Sequence, residues 1–299
     1  MKIVTYKLKD SAQGYRTGFI NDDQVVDLAK ASQQLGAKED YICPADPVAF
    51  YQAGAVALNS AKRTFNYHRE TPMTTFIYNR KSVKLGPPVT KPNKIICVGT
   101  NYRDHVIEMN SNIPEYPVLF AKFANALIGP DDAIMKSLQT SQLDYEVELA
   151  VVIGDQATMV REEEALDVVA GYTIANDISA RDLQKRTPQW LQGKTLDRST
   201  PIGPWLVTAD EIEDPGNLMI QSVVNGERRQ FSNTNQLIFN IPYLVAFISN
   251  LMTLEPGDII LTGTPDGVGF AQQPPAFLRA GDQVELTIEG IGTLTNTVE

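Results

Sequence analysis

The sequence predicts an α+β protein in which strands dominate. Short runs of alternating or continuous apolar character recur along the whole chain, while helical periodicity is confined to scattered segments. No regular strand–helix–strand rhythm appears, which argues against a doubly wound parallel sheet. The 299 residues, 43% of them hydrophobic and 21% charged, allow one large domain or two unequal ones with a true core.

The elements follow in order. Lys2–Leu8 alternates, Tyr15–Ile20 follows a glycine, and Gln24–Leu28 follows the turn-like Asn21-Asp22-Asp23, so the chain opens on strands. From about Ala29 to Arg69 the pattern is mostly helical, interrupted by Pro44 and Pro47. Leu85 to Lys94 holds three prolines and a glycine and marks a boundary. It separates a small N-terminal α/β module, residues 1–88, from a larger domain, residues 89–299. Beyond it, Ile95–Val98 is a short apolar strand, Asn101–Asn110 a short helix, Val118–Ala124 and Glu146–Ile153 strands, and Glu162–Val169 a helix. Gly203–Thr208 is a further strand, and Asn225-Gly226 between alternating residues is a hairpin turn. An amphipathic helix spans Ile241–Leu251, and strands close the chain at Asp258–Leu261 and Gln283–Ile288.

Thirty-six acids against 26 bases give a formal charge of −10. So acidic a chain is unsuited to nucleic acid or anionic membrane, which need a basic surface. Cys43 and Cys97 fit no disulfide framework, zinc motif or redox motif. No stretch has the length of a signal or a membrane span, so a cytoplasmic location is expected.

The chemistry concentrates in a few segments. In Asp144-Tyr145-Glu146-Val147-Glu148-Leu149, strand alternation puts Glu146 and Glu148 on one face of an otherwise apolar run. If that face is interior, a hard divalent cation resolves both their burial and their repulsion. If it is an exposed edge, they are simply solvated. Asp177 lies in Asn176-Asp177-Ile178-Ser179-Ala180-Arg181-Asp182-Leu183-Gln184, at the end of a strand. Ser179 suits a helix N-cap there, with Asp182 at the third helical position. Arg181 and Gln184 then project from one side of the helix, and an arginine fork suits a carboxylate. The bland alternative is a capped surface helix with an internal ion pair.

His105 and Glu108 fall three apart in a helical stretch, where a carboxylate can orient an imidazole and raise its basicity. A surface ion pair accounts for the same spacing. His68 has nothing chemical beside it and reads as a surface residue. Gly193-Lys194-Thr195 lacks the upstream glycines of a phosphate loop, so Lys194 suits an enolate or carboxylate instead. The glycines of Thr262-Gly263-Thr264-Pro265-Asp266-Gly267 bring backbone amides and the Thr264 hydroxyl near a ligand, or form a plain turn.

Together these segments resemble the fumarylacetoacetate hydrolase family. The matching motifs run from Val98-Gly99-Thr100-Asn101-Tyr102-Arg103-Asp104-His105, with Glu108, through Glu146-Val147-Glu148 and Asn176 to Gln184, to Gly193-Lys194-Thr195 and Gly257 to Pro265. The likeness covers about residue 90 to the end, and the N-terminal module resembles that of a longer bacterial subgroup with members acting on oxaloacetate.

The resemblance implies a mixed β-sandwich roll, assembled as a homodimer. It implies one divalent cation, Mg²⁺ or Mn²⁺ with Ca²⁺ as a further option, on Glu146, Glu148 and Asp177. It implies a water-activating His105–Glu108 dyad, and a keto-acid end held by Arg181, Gln184, Lys194 and Thr264. Pro188 stands near a tyrosine position of the larger eukaryotic enzymes, and their additional acidic ligand has no counterpart. These departures favour a smaller 2-keto acid over fumarylacetoacetate. The leading expectation is hydrolysis of a C–C bond in a 2,4-diketo acid. Lys194 then helps to neutralise the enolate. Decarboxylation or tautomerisation of oxaloacetate, or isomerisation of a hydroxymuconate-type acid, is the alternative on the same site. A non-catalytic scaffold retaining the fold is the second alternative.

Overall fold

The computed structural model describes residues 1–35 and 42–299. The chain begins with an antiparallel meander of β1 (Lys2–Leu8), β2 (Arg16–Asn21) and β3 (Gln24–Asp27). Asp27 then starts α1 (Leu28–Gln34) by accepting the Lys30 N–H at 2.9 Å. Asp46 caps α2 (Pro47–Gln52) in the same way, with Pro47 where a missing N–H costs nothing. The long α3 (Gly54–Glu70) follows, then β4 (Ile77–Asn79) and β5 (Val83–Gly86). The helical reading of residues 29–69 holds where the chain is described; residues 36–41 lie outside.

His68 corrects the sequence reading, because it is buried at 3% exposure. Ala57, Ala61, Thr64 and His68 recur at helical spacing and form the inner stripe of α3. The imidazole packs edge-on to Phe19, and its Nδ1 accepts the Met73 N–H at 3.2 Å. Burial pushes His68 below the usual imidazole value, so it serves the core as a neutral ring.

The larger region runs through β6 (Ile95–Gly99), α4 (Arg103–Glu108), β7 (Val118–Lys122), β8 (Leu127–Ile128), β9 (Leu143–Asp144) and β10 (Val147–Ile153). It continues with β11 (Val169–Asn176), β12 (Ser179–Ala180), α5 (Arg181–Gln184), α6 (Leu191–Lys194) and β13 (Thr200–Thr208). The hairpin of β14 (Met219–Val224) and β15 (Glu227–Asn233) turns at Asn225-Gly226, as expected. Then come α7 (Ile241–Leu251), β16 (Ile259–Leu261), β17 (Gln283–Ile288) and β18 (Gly292–Thr297).

A mixed twelve-stranded sheet has the order β4-β3-β2-β1-β13-β11-β10-β16-β6-β7, with β5 added beside β1 and β8 beside β13. A four-stranded sheet, β15-β14-β17-β18, packs against it. The fold is α+β and mainly β, as the alternation predicted. Pairing of β1 with β13 makes the N-terminal strands part of the large sheet. Among the described residues, no helix is long and apolar enough to cross a membrane.

Alternation along β10 divides the core. Val147, Leu149, Val151 and Ile153 pack with Ile220, Leu286 and Leu294 of the smaller sheet. Ala150 and Val152 face the opposite way, into a second cluster with Phe50, Ala57 and Ala61 of the N-terminal helices. Glu148 and Glu146 lie on that second face, beyond the N-terminal helices.

Two local expectations fail. The helix expected over Glu162–Val169 is a single 3₁₀ turn at Glu162–Glu164, and Val169 begins β11. Three adjacent glutamates offer that segment no apolar stripe, and Val169 pairs with Ile153 in the sheet. Ser179 does not cap a helix. It lies in β12 opposite Asp144, and α5 starts after Ala180 without a side-chain cap.

Gly171 fixes the spacing of β11 and β13: a Cβ there would meet Val207 O at 2.0 Å. Gly171→Ala is therefore expected to destabilise the fold by about 3 kcal/mol or more. Thermal unfolding should show a fall of several degrees. An unchanged midpoint would contradict this packing.

Candidate metal centre and active site

Strand pairing builds the acidic cluster. Val147 of β10 stands opposite Asn176 of β11, and the next residue, Asp177, donates its N–H to Glu146 O at 2.9 Å. The Asn176 side chain accepts the Glu146 N–H at 3.0 Å and fixes the strand end. Glu146, Glu148 and Asp177 thus offer oxygens within 4.8 Å of one another, all three side chains buried.

Buried carboxylates need positive partners, and three of the partners are buried cations. Lys194 Nζ lies 2.6 Å from Glu146 Oε2 and 2.7 Å from Asp177 Oδ2. Lys122 Nζ lies 2.7 Å from Asp177 Oδ1 and donates to Ile178 O at 3.0 Å. Arg181 Nη2 lies 2.7 Å from Glu146 Oε1 and 2.8 Å from Asp144 Oδ2. For Glu146, burial opposes ionisation, but Lys194 and Arg181 outweigh it and hold the group below the usual carboxylate range. Burial likewise works against the Lys194 ammonium, while Asp177 and Glu146 keep it protonated.

Glu148 is different. Its hydrogen bond comes from the Gly263 N–H, at 2.7 Å, and it makes no ion pair among the described residues. Burial, then the charges of Asp177 and Glu146, push it well above its ordinary value. A divalent cation with oxygen preference fits this donor set, since it would relieve the one carboxylate that lysine and arginine leave unmatched.

The loop after β16 ties two carboxylates down. Gly263 donates to Glu148, and Gly267 donates to Glu108 Oε1 at 2.8 Å. Gly263 has φ +105°, and a Cβ there would meet Asn101 Cβ at 2.9 Å, so only glycine fits. Glu108 Oε2 lies 3.0 Å from His105 Nδ1. With a carboxylate on Nδ1, the hydrogen resides there and Nε2 is left as the basic nitrogen. The expected i, i+3 pair is thus present on α4, with His105 buried at 6% exposure.

A cavity of about 280 Å³ collects these groups. Its wall includes His105, the three acids, Arg181, Gln184, Lys194 and Thr264, every candidate named from the sequence except Glu108, which stands behind His105. Arg181 and Thr264, like Lys194, are engaged within the protein. Arg181 spends its fork on Asp144 and Glu146 and also donates to Gln184 Oε1 at 3.1 Å. Thr264 Oγ1 donates to Val147 O at 2.9 Å and accepts from Gln230 Nε2 at 2.8 Å, so its hydroxyl hydrogen is committed within the protein.

Three site residues carried no role in the sequence reading: Lys122, Asp144 and Gln230. Lys122 was visible as a lone charge in the apolar strand Val118–Ala124. Asp144 was visible as a third acid beside Glu146. Gln230 lies in a polar hairpin strand and gave no signal.

Comparison with known proteins adds to this geometry. The family model described as fumarylacetoacetate (FAA) hydrolase C-terminal matches residues 94–299. The chain is 46% identical over 286 residues to oxaloacetate tautomerase YisK of Bacillus subtilis (strain 168), covering 93% of this chain and 94% of that protein. It is 46% identical over 251 residues to the mitochondrial oxaloacetate tautomerase fahd2 of Xenopus laevis, covering 83% and 77% respectively. The crystal structure of maleylpyruvate hydrolase from Sphingobium sp. SYK-6, in complex with manganese(II) and pyruvate, superposes with a TM-score of 0.77 at 29% identity, covering 100% of this chain and 98% of that one.

Proposed function

The chain belongs to the fumarylacetoacetate hydrolase family, and on that premise we propose that it is a divalent-metal-dependent tautomerase interconverting the enol and keto forms of oxaloacetate. The observation that carries this reading is the 46% identity to an oxaloacetate tautomerase across 93% of the chain. C–C hydrolysis, the leading expectation from the sequence, becomes the second reading. It is supported by the maleylpyruvate hydrolase likeness and by the His105–Glu108 pair.

A Mg²⁺ or Mn²⁺ ion held by Glu146, Glu148 and Asp177 would supply Lewis acidity toward a 2-keto carboxylate. The chain's own residues do the rest. His105 Nε2 takes a proton from C3 of the keto form; the C–H electron pair becomes the C2=C3 π bond, the C2=O π pair moves onto the oxygen, and the imidazolium returns its proton there. Glu108 keeps the imidazole oriented and stabilises its charged form. Lys194, held protonated, places positive charge where negative charge develops on the substrate. Gln184 retains its amide N–H groups for the ligand, since its oxygen serves Arg181. As parts of the same proposal, the enzyme is a cytoplasmic homodimer, and residues 1–88 form an N-terminal module that joins the large sheet through β1; light scattering in solution tests the dimer.

The enzyme loaded with Mn²⁺ should accelerate decay of the enol absorbance of oxaloacetate, with little acid released from acetylpyruvate. Faster cleavage of acetylpyruvate than conversion of oxaloacetate would replace this reading with the hydrolytic one.

A further inference from the structure

We propose that Lys185 is the specificity-determining cation of this cavity and holds the distal carboxylate of a dicarboxylic 2-keto acid. The proposal rests on the tautomerase reading and names the feature of the substrate that this site selects.

Three cationic side chains line the cavity: Arg181, Lys185 and Lys194. Arg181 is distributed over Asp144, Glu146 and Gln184, and Lys194 bridges Glu146 and Asp177. Lys185 alone among these three has no carboxylate within ion-pair distance among the described residues. Its ammonium instead stands 3.4 Å from the centroid of the Phe270 ring. It directly follows Gln184, at the C-cap of α5, and shares the cavity wall with Thr187 and Pro188. Lys185 is exposed overall; partial desolvation, then the charge of Arg181, presses it below its ordinary value, an effect that a nearby anion would oppose.

Charge balance points the same way. The three cavity carboxylates oppose three cations, and a bound divalent ion leaves two positive charges over. Behind the wall, Asp144 and Lys122 offset each other, and the Glu108 carboxylate stands behind His105. Lys185 is the lining cation that no carboxylate pairs with among the described residues. Lys185 is also out of ion-pair reach of the triad, which leaves it for a charge farther along the ligand than the end held there.

The test uses the full chain loaded with Mn²⁺, as wild type, Lys185→Met and Lys185→Arg. Deuterium exchange at C3 is followed by proton NMR for oxaloacetate and for 2-oxobutanoate, which carries a methyl group in place of the distal carboxylate. Lys185→Met should lower kcat/KM for oxaloacetate about 10–100-fold, mainly through KM, and change 2-oxobutanoate by less than about threefold. Lys185→Arg should recover most of the loss. Equal losses on both substrates, or none on either, would overturn the proposal. Calorimetry with malate and 2-hydroxybutanoate separates it from the activity itself. If the wild type exchanges neither keto acid, the tautomerase reading fails. Selective loss of malate binding in Lys185→Met would still support the role of Lys185, and parallel binding in both proteins would refute it.

Discussion

Replacing Glu148 by Gln is expected to abolish divalent-cation binding while making the metal-free protein more stable, not less. Glu148 is the triad member that no lysine or arginine neutralises, and its hydrogen bond comes from one backbone amide. Loss of a charged oxygen ligand should weaken the cation by 100-fold or more, about 3 kcal/mol, and activity should fall with it. In the metal-free state the same change removes the cost of burying a charge and the repulsion from Asp177 and Glu146, which together push Glu148 above its ordinary value. The sign with pH follows. An acid whose folded value is raised contributes stability that is complete below its unfolded value, near about 4, and is lost as pH rises through the folded value. Glu148→Gln should therefore gain over wild type as pH rises above about 4, and match it in stronger acid. Chelator-treated and Mn²⁺-loaded melts across pH check both halves. By contrast, Glu146→Ala should lose metal and also fold stability, because Lys194 and Arg181 would be left facing a gap.

His105→Asn should reduce turnover about 10²–10⁴-fold while leaving metal stoichiometry unchanged. The imidazole shares the cavity wall with the acids but is not in their ligand cluster. It is aimed by Glu108, which Gly267 holds in turn. Glu108→Gln should cost less than His105→Asn, since an amide oxygen can still receive the Nδ1 hydrogen, while the charge and the acceptor for the Gly267 N–H are lost. Both variants should bind Mn²⁺ with wild-type affinity by calorimetry. Loss of metal together with activity would make His105 part of the metal site instead of a proton carrier. If the second, hydrolytic activity is present, His105→Asn should suppress it as well, because water then needs the same base.

Much of this was legible in the chain because local rules and tertiary demand agreed. The 146–153 alternation placed two carboxylates on one face, and both faces of β10 proved buried. Helix α7 follows its apolar stripe, and Asn225-Gly226 makes its hairpin because both residues adopt positive φ there. What escaped was set by distant partners. Lys122 pairs with Asp177 across 55 positions, and nothing local announces such a contact. Asp144 engages Arg181 through a β9–β12 pairing of two residues per strand. Short strands of that kind carry no periodicity. Ser179 has the residue type of a cap, but the sheet uses its backbone first. His68 escaped because nothing chemical flanks it in sequence, whereas its burial is set by its place on the inner stripe of α3.

The most direct measurement is the rate of oxaloacetate tautomerisation by chelator-treated protein during a stepwise Mn²⁺ titration. If the buried triad holds the single ion on which the chemistry depends, the rate should start at the uncatalysed level. It should then rise to a plateau at an equimolar amount of Mn²⁺, with Glu148→Gln flat throughout. Full activity in the metal-free protein, or a rise shared equally by Glu148→Gln, would contradict it.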